Sequence, residues 1–419
     1  MTEQNGFAAG VGAGQPDAQQ ESAEPADVGS ADAGWADVGS ADAGEDAVED
    51  ATVDESDAGS DEARECHEML LRLAGKAPDG LITRARGWLA AGRRGDLARA
   101  FTFWAVSNDV ALTEYDTVLL GALMADEAAD PSALAHLRVE DAEQLPYYSF
   151  AVQVPAGLTV EPVSPPRSRA KSAGNPEEVM TKAIAKEQGA RGVWRAWRFP
   201  SDGALWPPPK RVWVVEVDDG IHEIDVADRL QKRLAAVGEA DPQVEVYQTG
   251  YELPVYQEFA RAYGELLWAA TDDPGIRIAT VFDEVHADAG PRFRPDHPLL
   301  EEEEAGEVAT YLYQGEPLLV TTARMDDVKD SSRSNSVPMS FRTDGTWIWT
   351  EASAYYLEHY RLEPDVGLLG HIRANNYKPP AVDGVALYRA LQVLQAPADE
   401  EPTTNAGDAG KGEPDSPRG

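Results

Sequence analysis

The stretch VWRAWRFPSDGALWPPPKRVWVVEV (Val193–Val217) sets two aromatic, β-branched runs on either side of a segment that cannot be regular structure. VWRAWRF (193–199) and RVWVVEV (211–217) have the composition of strands. Between them, Pro207, Pro208 and Pro209 remove three backbone donors in succession, so the chain must leave the sheet there. Upstream, Asn175-Pro176 reads as an N-cap and first helical residue, with Met180 and Ile184 four apart behind them. Downstream, Asp225 caps a helix whose Leu230, Leu234 and Val237 form one stripe. VEVYQTG (244–250) reads as a third strand. Phe259, Tyr263, Leu266 and Leu267 read as a further helix, and IRIATVF (276–282) as a fourth strand. An order α-β-β-α-β-α-β predicts a mixed sheet with helices on one face, and requires a right-handed crossover wherever neighbouring strands are parallel.

The flanking segments differ in character. Residues 63–150 carry short amphipathic helices: Cys66, Met69, Leu70 and Leu73, then Leu97, Phe101 and Trp104. Thr113 and Asp116 approximate a capping box, and Asp130-Pro131 opens another helix. Residues 151–175 read as a Pro/Ser-rich linker, leaving 176–300 as the α/β domain. In 301–396 a helix with Val308, Tyr311 and Leu312 precedes a buried-looking strand, PLLVTT (317–322). A polar loop (324–336), a hairpin and helices at 351–361, 364–374 and 383–395 follow. Residues 1–62 and 397–419 are acidic and low in complexity; the nonapeptide ADVGSADAG occurs at 26–34 and 36–44, around Trp35. Such composition cannot offset chain entropy and predicts disorder. The fold class expected is multidomain α+β: a small helical domain, a mixed-sheet α/β domain, and an α+β C-terminal domain with a hairpin and helices.

The chain of 419 residues has a formal charge of −38. Residues 1–65 hold 18 acids and one base, and residues 397–419 six acids and two bases, which leaves −17 on 66–396. That field repels phosphates and anionic lipid, so neither nucleic acid nor membrane is an expected partner. The best basic run, Arg167, Arg169 and Lys171, lies in the linker and reads as a solvated tether. No run of apolar residues is long enough to span a bilayer, and the N-terminus lacks a signal peptide's pattern, so a cytoplasmic protein is expected. Cys66 is the only cysteine, which excludes an intramolecular disulfide, a CxxC pair and a Cys-rich zinc site; it reads as a core residue.

No nucleotide-binding, hydrolase, metalloprotease or EF-hand motif occurs, and no catalytic residue, cofactor or metal is assigned. His286, Asp288, Asp296 and His297 group two imidazoles with two carboxylates, but Pro291, Pro295 and Pro298 make that segment a pinned surface loop rather than a metal site. In the loop ARMDDVKDSSRSNS, Arg324, Asp326, Asp327, Lys329, Asp330 and Arg333 could act as acid, base and anion clamp, although a solvated contact loop is the plainer reading. Trp206, beside the proline run, is a candidate for recognition in extended polyproline geometry, or a cover for the sheet.

The stretch VPMSFRTDGTWIWTEASAYYLEHY (337–360) predicts a hairpin about Asp344-Gly345 with a two-residue type I′ turn. That register pairs Thr343 with Thr346, Arg342 with Trp347, Phe341 with Ile348, Ser340 with Trp349 and Met339 with Thr350. One face then shows Met339, Phe341 and Ile348, the other Arg342, Trp347, Ser340 and Trp349. A helix capped at Thr350 offers a stripe of Ala352, Tyr355, Tyr356 and His359 to cover the second face, with Arg342 over Trp347 as a cation–π pair. Internal packing is the preferred reading; Arg342, Trp347 and Trp349 make a partner platform only where the helix leaves them open.

The stretches around the central strands, with EADPQVEVYQTGYELPVYQ, EPLLVTTARMDD and VPMSFRTDGTWIWTEASAYYLEHY, resemble a family of uncharacterised proteins from high-GC actinobacteria over roughly residues 63–395. The helix-strand-strand-helix-strand run at 176–250 is similar to the C-terminal domain of SseB-like proteins, and the C-terminal part resembles accessory or immunity-type proteins near secreted toxins. The resemblance implies a non-enzymatic interaction or secretion-associated module and transfers no functional residue. The expected function is a cytoplasmic interaction or accessory protein whose partner is another protein with a basic surface, such as a secreted effector or toxin. The alternative is an enzyme with its site around Arg324, Asp326 and Asp327.

Overall fold

The computed structural model describes residues 55–126, 130–141, 147–160, 174–202, 204, 207–286 and 288–396. The repeat with Trp35, the central part of the expected linker, Trp206 and the tail from 397 lie outside the described residues.

Residues 55–141 form a helical layer. It comprises α1 (Glu55–Leu73), α2 (Asp79–Ala90), α3 (Arg94–Ser107), β1 (Ala111–Leu112), α4 (Glu114–Asp126), a 3₁₀ turn (Pro131–His136) and β2 (Arg138–Val139), which pairs with β1 in parallel. Helix α1 begins eight residues before the boundary expected at 63. Cys66, Met69, Leu70, Ile82, Leu97 and Phe101 fill its core. Burial pushes the Cys66 thiol up to about 12, so it packs as a small apolar group. Thr113 caps α4 through the Asp116 N–H, but the Asp116 carboxylate turns to Arg72 instead of closing a capping box. Asp130-Pro131 opens the 3₁₀ turn rather than an α-helix.

The central sheet uses β3 (Tyr148–Ala151), β4 (Ala190–Pro200), β5 (Lys210–Val217), β6 (Gln243–Gln248) and β7 (Glu265–Ala269), interleaved with α5 (Pro176–Ile184), α6 (Glu223–Ala236) and α7 (Val255–Ala262). β4 and β5 are antiparallel, while β5 and β6 are parallel and joined through α6. β3 and β7 lie end to end along the other edge of β4, opposite residues 197–200 and 192–195. Val212, Trp213, Val214, Val215 and Val217 are all fully buried, so the continuous apolar run of β5 reflects burial on both faces. Helices α5 and α6 cover one face through Met180, Ile184, Val226, Leu230 and Leu234. The second face, with Trp194, Val212, Val214 and Tyr247, is also covered, by Tyr256 and Ala260 of α7 and by Val385 near the C-terminus. The expectation of helices on one face is therefore corrected to both.

Two further differences have local causes. The helix expected through Leu266 and Leu267 stops at Ala262, and those leucines lie in β7. Gly264 makes the break: a Cβ there would lie 2.5 Å from the Ala260 carbonyl oxygen and 3.1 Å from that of Arg195, so the chain passes too close to its neighbours for any side chain. The expected fourth strand, 276–282, supplies only β8 (Arg277–Ile278), which joins a different sheet.

The helical layer closes the free edge of β6. The His67 Nε2–H donates to the Val246 carbonyl (2.8 Å), Thr83 Oγ1 to the Pro242 carbonyl (3.1 Å), and Gln257 of α7 to Leu71 of α1 (2.9 Å). Beside them Arg86 and Glu245 form an ion pair (2.6 Å) with side chains 1% and 0% exposed. Covering an edge in this way leaves no open backbone row for another chain.

The C-terminal part holds β9 (Glu284–His286), β10 (Gly290–Arg292), α8 (Glu302–Gln314), β11 (Glu316–Leu319), β12 (Arg324–Met325), β13 (Val337–Pro338), β14 (Phe341–Thr343), β15 (Trp347–Thr350), α9 (Glu351–Tyr360), α10 (Val366–Ala374) and α11 (Gly384–Gln395). Its main sheet has the order β11-β14-β15-β8. Strand β11, read from PLLVTT as buried, is an exposed edge; Leu319 and Val320 face solvent. The fold is thus multidomain α+β, as the sequence predicts.

Candidate functional site

The structure disperses the candidate residues. The hairpin forms, but Phe341 pairs with Thr350, Arg342 with Trp349 and Thr343 with Ile348, two positions from the expected register. Gly345 (φ +82°) and Thr346 are the central turn residues, closed by an Asp344 N–H to Trp347 carbonyl bond. Only Gly345 has positive φ, which excludes type I′. A slip of two preserves faces, so Arg342, Trp347 and Trp349 do share one. That face is closed. Trp349 is fully buried, its Nε1–H donating to the Leu312 carbonyl (3.0 Å), and Trp347 is 5% exposed. Their cover is α8, α10 and the Ala354/Leu357 stripe of α9, whereas Ala352, Tyr355 and Tyr356 pack elsewhere, with Val337 and Leu362. The tryptophans are core, not a platform. Arg342 binds Glu351 (2.8 Å) and the Gly315 carbonyl (2.9 Å); the cation over Trp347 is Arg277, 4.3 Å from the ring.

The polar loop does not converge on a reaction centre. Arg324 donates to the Ser336 carbonyl (2.9 Å) and Asp326 accepts from the Asn335 N–H (2.7 Å); both are exposed. Asp327 turns inward, 3% exposed, accepting from the hydroxyls of Tyr355 and Tyr360 and the Lys329 N–H. Burial acts to raise its pKa, but these hydrogen bonds outweigh it and hold the carboxyl below its usual range. The sign follows: the stabilisation is present above the ordinary aspartate pKa and is lost as pH falls through the lower folded value. Asp327→Asn is expected to cost about 2 kcal/mol at neutral pH, from lost hydrogen bonds to a charged acceptor. In urea titrations the gap from wild type should narrow as pH falls below the ordinary aspartate range; a gap independent of pH would show that the charge is irrelevant.

The histidine group also separates. His286 meets Glu284 (3.1 Å), while His297 meets Asp283 (2.9 Å) and the Glu363 carbonyl (2.9 Å). Asp296 is exposed. Among the described residues no three His, Cys, Asp or Glu side chains are grouped to hold a metal ion.

The geometry instead brings together residues far apart in sequence. A cleft of about 380 Å³ opens between the end of α1, the β1–α4 and β2 segments, and the Tyr251–Val255 approach to α7. Its fixed centre is Arg72, which gives Asp116 Oδ1 two hydrogen bonds (2.7 and 3.2 Å) and lies 5.5 Å over the Tyr115 ring. Burial opposes the Arg72 charge, but the Asp116 carboxylate more than offsets it and raises the guanidinium pKa. Gly75 (φ +76°) admits the Tyr256 ring, which a Cβ would meet at 2.3 Å. Asp141 accepts from the Glu114 N–H (2.8 Å) at the start of α4. Tyr147, 77% exposed, stands at the mouth, and burial raises the pKa of Tyr251 within. Among the described residues, carboxylates of Asp116, Glu140, Asp141, Glu252 and Glu258 line the cleft against two cations, Arg72 and Lys76. With Arg72 already paired, the remaining field favours a positive ligand, and tyrosine faces suit the same charge. Sequence reading missed this site because its residues span 72–258; only the clustered Tyr251, Glu252, Leu253 and Pro254 gave a local hint.

Compared with known proteins, the chain matches no family model, no curated protein and no solved structure.

Proposed function

We propose that the protein is a non-catalytic interaction protein whose cleft receives a basic segment of a partner protein. The observation that carries this reading is the excess of carboxylates around tyrosine faces in an open cleft whose one deep cation is already bound by Asp116. A residual charge of −17 on residues 66–396 would steer such a partner toward it. A cytoplasmic setting and a basic effector or toxin as partner are the finer forms of the proposal; no described helix is long and apolar enough to cross a membrane. The alternative of a catalytic site at Arg324, Asp326 and Asp327 has less support, since Arg324 and Asp326 are engaged within the loop and Asp327 is held by the tyrosines of α9.

The test uses fluorescence anisotropy with a labelled Lys/Arg-rich peptide and an acidic peptide as control. Wild type should bind only the basic peptide, more weakly as salt rises. The Glu252→Lys/Glu258→Lys variant should bind at least about tenfold more weakly. Equal binding by wild type and the reversed variant would sink the assignment to the cleft.

A further inference from the structure

Helix α11 returns from the C-terminal part and wedges between the two sheets. Gly345 of the hairpin turn lies against Ala386, where an added Cβ would be 3.2 Å away, while Val385 and Tyr388 pack on β4 of the central sheet. Tyr388 meets Trp194 edge-on at 6.1 Å and donates to the Gly264 carbonyl (3.0 Å). Farther along, Arg389 donates to the Thr271 carbonyl (2.7 Å) and the Asp272 carbonyl (3.0 Å), while of the helix's twelve residues only Gly384, Val385 and Ala390 are buried.

The head of the helix sits in a polar socket. Glu216, 1% exposed on β5, accepts the Gly384 N–H through Oε1 (2.9 Å). Its Oε2 is buried with no hydrogen-bond partner. A Cβ on Gly384 would lie 2.5 Å from Tyr247 Oη, 2.7 Å from Arg261 Nη1 and 2.8 Å from that Oε2, so any side chain here would push these buried polar ends aside. Gly192 on β4 makes matching room, since a Cβ there would lie 2.5 Å from Val385 Cγ2. A buried acid with one oxygen used and the other unpaired is a strained anion and a tolerable neutral acid.

We propose that Glu216 is a proton-operated latch: protonated, it holds the head of α11 between the two sheets, and ionised, it releases the helix. Burial is the strongest influence on Glu216 and raises its pKa, and Asp383 at the head of α11 adds to this. The Gly384 N–H, Arg261 of α7 and the Thr249 hydroxyl act the other way without cancelling it. Arg261 is shared with the Tyr247 hydroxyl (2.9 Å), and Arg191 of β4 is engaged by Asp218. An acid whose pKa is raised in the docked state stabilises that state at low pH, and the stabilisation is lost as pH rises through the docked value. Release uncovers the part of the central sheet's face where Val385 and Tyr388 pack, around Gly192 and Trp194, while α7 still covers the rest. None of these groups lines the acidic cleft, so the latch stands or falls apart from the binding reading.

The experiment places spin labels at Lys232→Cys on α6 and Gln392→Cys on α11, both exposed, in the full chain. Buried Cys66 does not compete for label. Electron–electron distance distributions should be narrow at the acidic end of the range in which the protein stays folded and broad at the alkaline end. Glu216→Gln should stay narrow at both, because an amide keeps the acceptor and cannot ionise. Gly192→Val, which blocks the seat of Val385, should be broad at both and sets the released reference. A wild-type distribution unchanged between the two pH values, or a Glu216→Gln variant that broadens as wild type does, would overturn the proposal.

Discussion

Arg86→Met alone is expected to destabilise the protein by about 3–5 kcal/mol, because it leaves the Glu245 carboxylate buried without its cation. The pair is almost completely withdrawn from water, and Glu245 Oε2 accepts both Arg86 Nη2 (2.6 Å) and Gln257 Nε2 (2.9 Å). The desolvation cost of the two ions is met by their mutual attraction; removing one partner leaves the cost and removes the return. Arg86→Met/Glu245→Met should therefore recover stability to within about 1–2 kcal/mol of wild type, since an apolar pair needs no compensation. Urea unfolding midpoints for both singles and the double complete the cycle. Additive losses would mean that the pair is not coupled, and that the helical layer rests on packing alone. The position matters because the pair joins α2 to β6, where the layer covers the sheet edge.

Trp349→Ala is expected to cost a similar amount, about 3–5 kcal/mol, through cavity formation and an orphaned Leu312 carbonyl. The ring is fully buried against Tyr311, with centroids 6.0 Å apart, and Gly315 lies so close that a Cβ there would sit 2.2 Å from Trp349 Cζ2. Neighbours fitted this closely cannot collapse into the space. Tyr147→Ala, which removes an exposed ring at the cleft mouth, should change stability by no more than about 0.5 kcal/mol. Thermal unfolding of both variants checks the contrast. An equal shift in Tm for the two would contradict the core assignment of Trp349.

The two predictions also mark what sequence patterning carries and what it loses. Strands β4, β5 and β6 were legible from their β-branched and aromatic residues, and in β5 burial on both faces makes the apolar run continuous. The cap at Asn175 was legible because an Asn side chain ahead of a periodic stretch has one local job. The faces of the hairpin were legible while its register was not: parity survives a slip of two, whereas the turn depends on which residue takes positive φ. Strand β7 was misread as helix because Leu266 and Leu267 continue the stripe of Phe259 and Tyr263, and only a close backbone approach at Gly264 breaks it. The cleft and the Glu216 socket were illegible for another reason. Their chemistry comes from separate elements, and nothing local marks Asp116, Glu252 or Glu216 as neighbours of anything in particular.

The edge of β4 that β3 and β7 divide between them has a consequence for how the chain acquires its structure. β4, β5, α6 and β6 are contiguous and can assemble from nearby contacts, but that edge is completed from segments more than a hundred residues apart, 148–151 and 265–269. Their contacts with β4 span 46–52 residues for β3 and 70–77 for β7, farther than those of β5 with β4 and β6, and contacts more distant along the chain are slower to form. During synthesis, β3 emerges well before its partner strand exists, and β4 waits longer still for β7. The sheet therefore closes late at this margin, and its kinetic vulnerability lies in the interval when β4 has a centre but not yet a border.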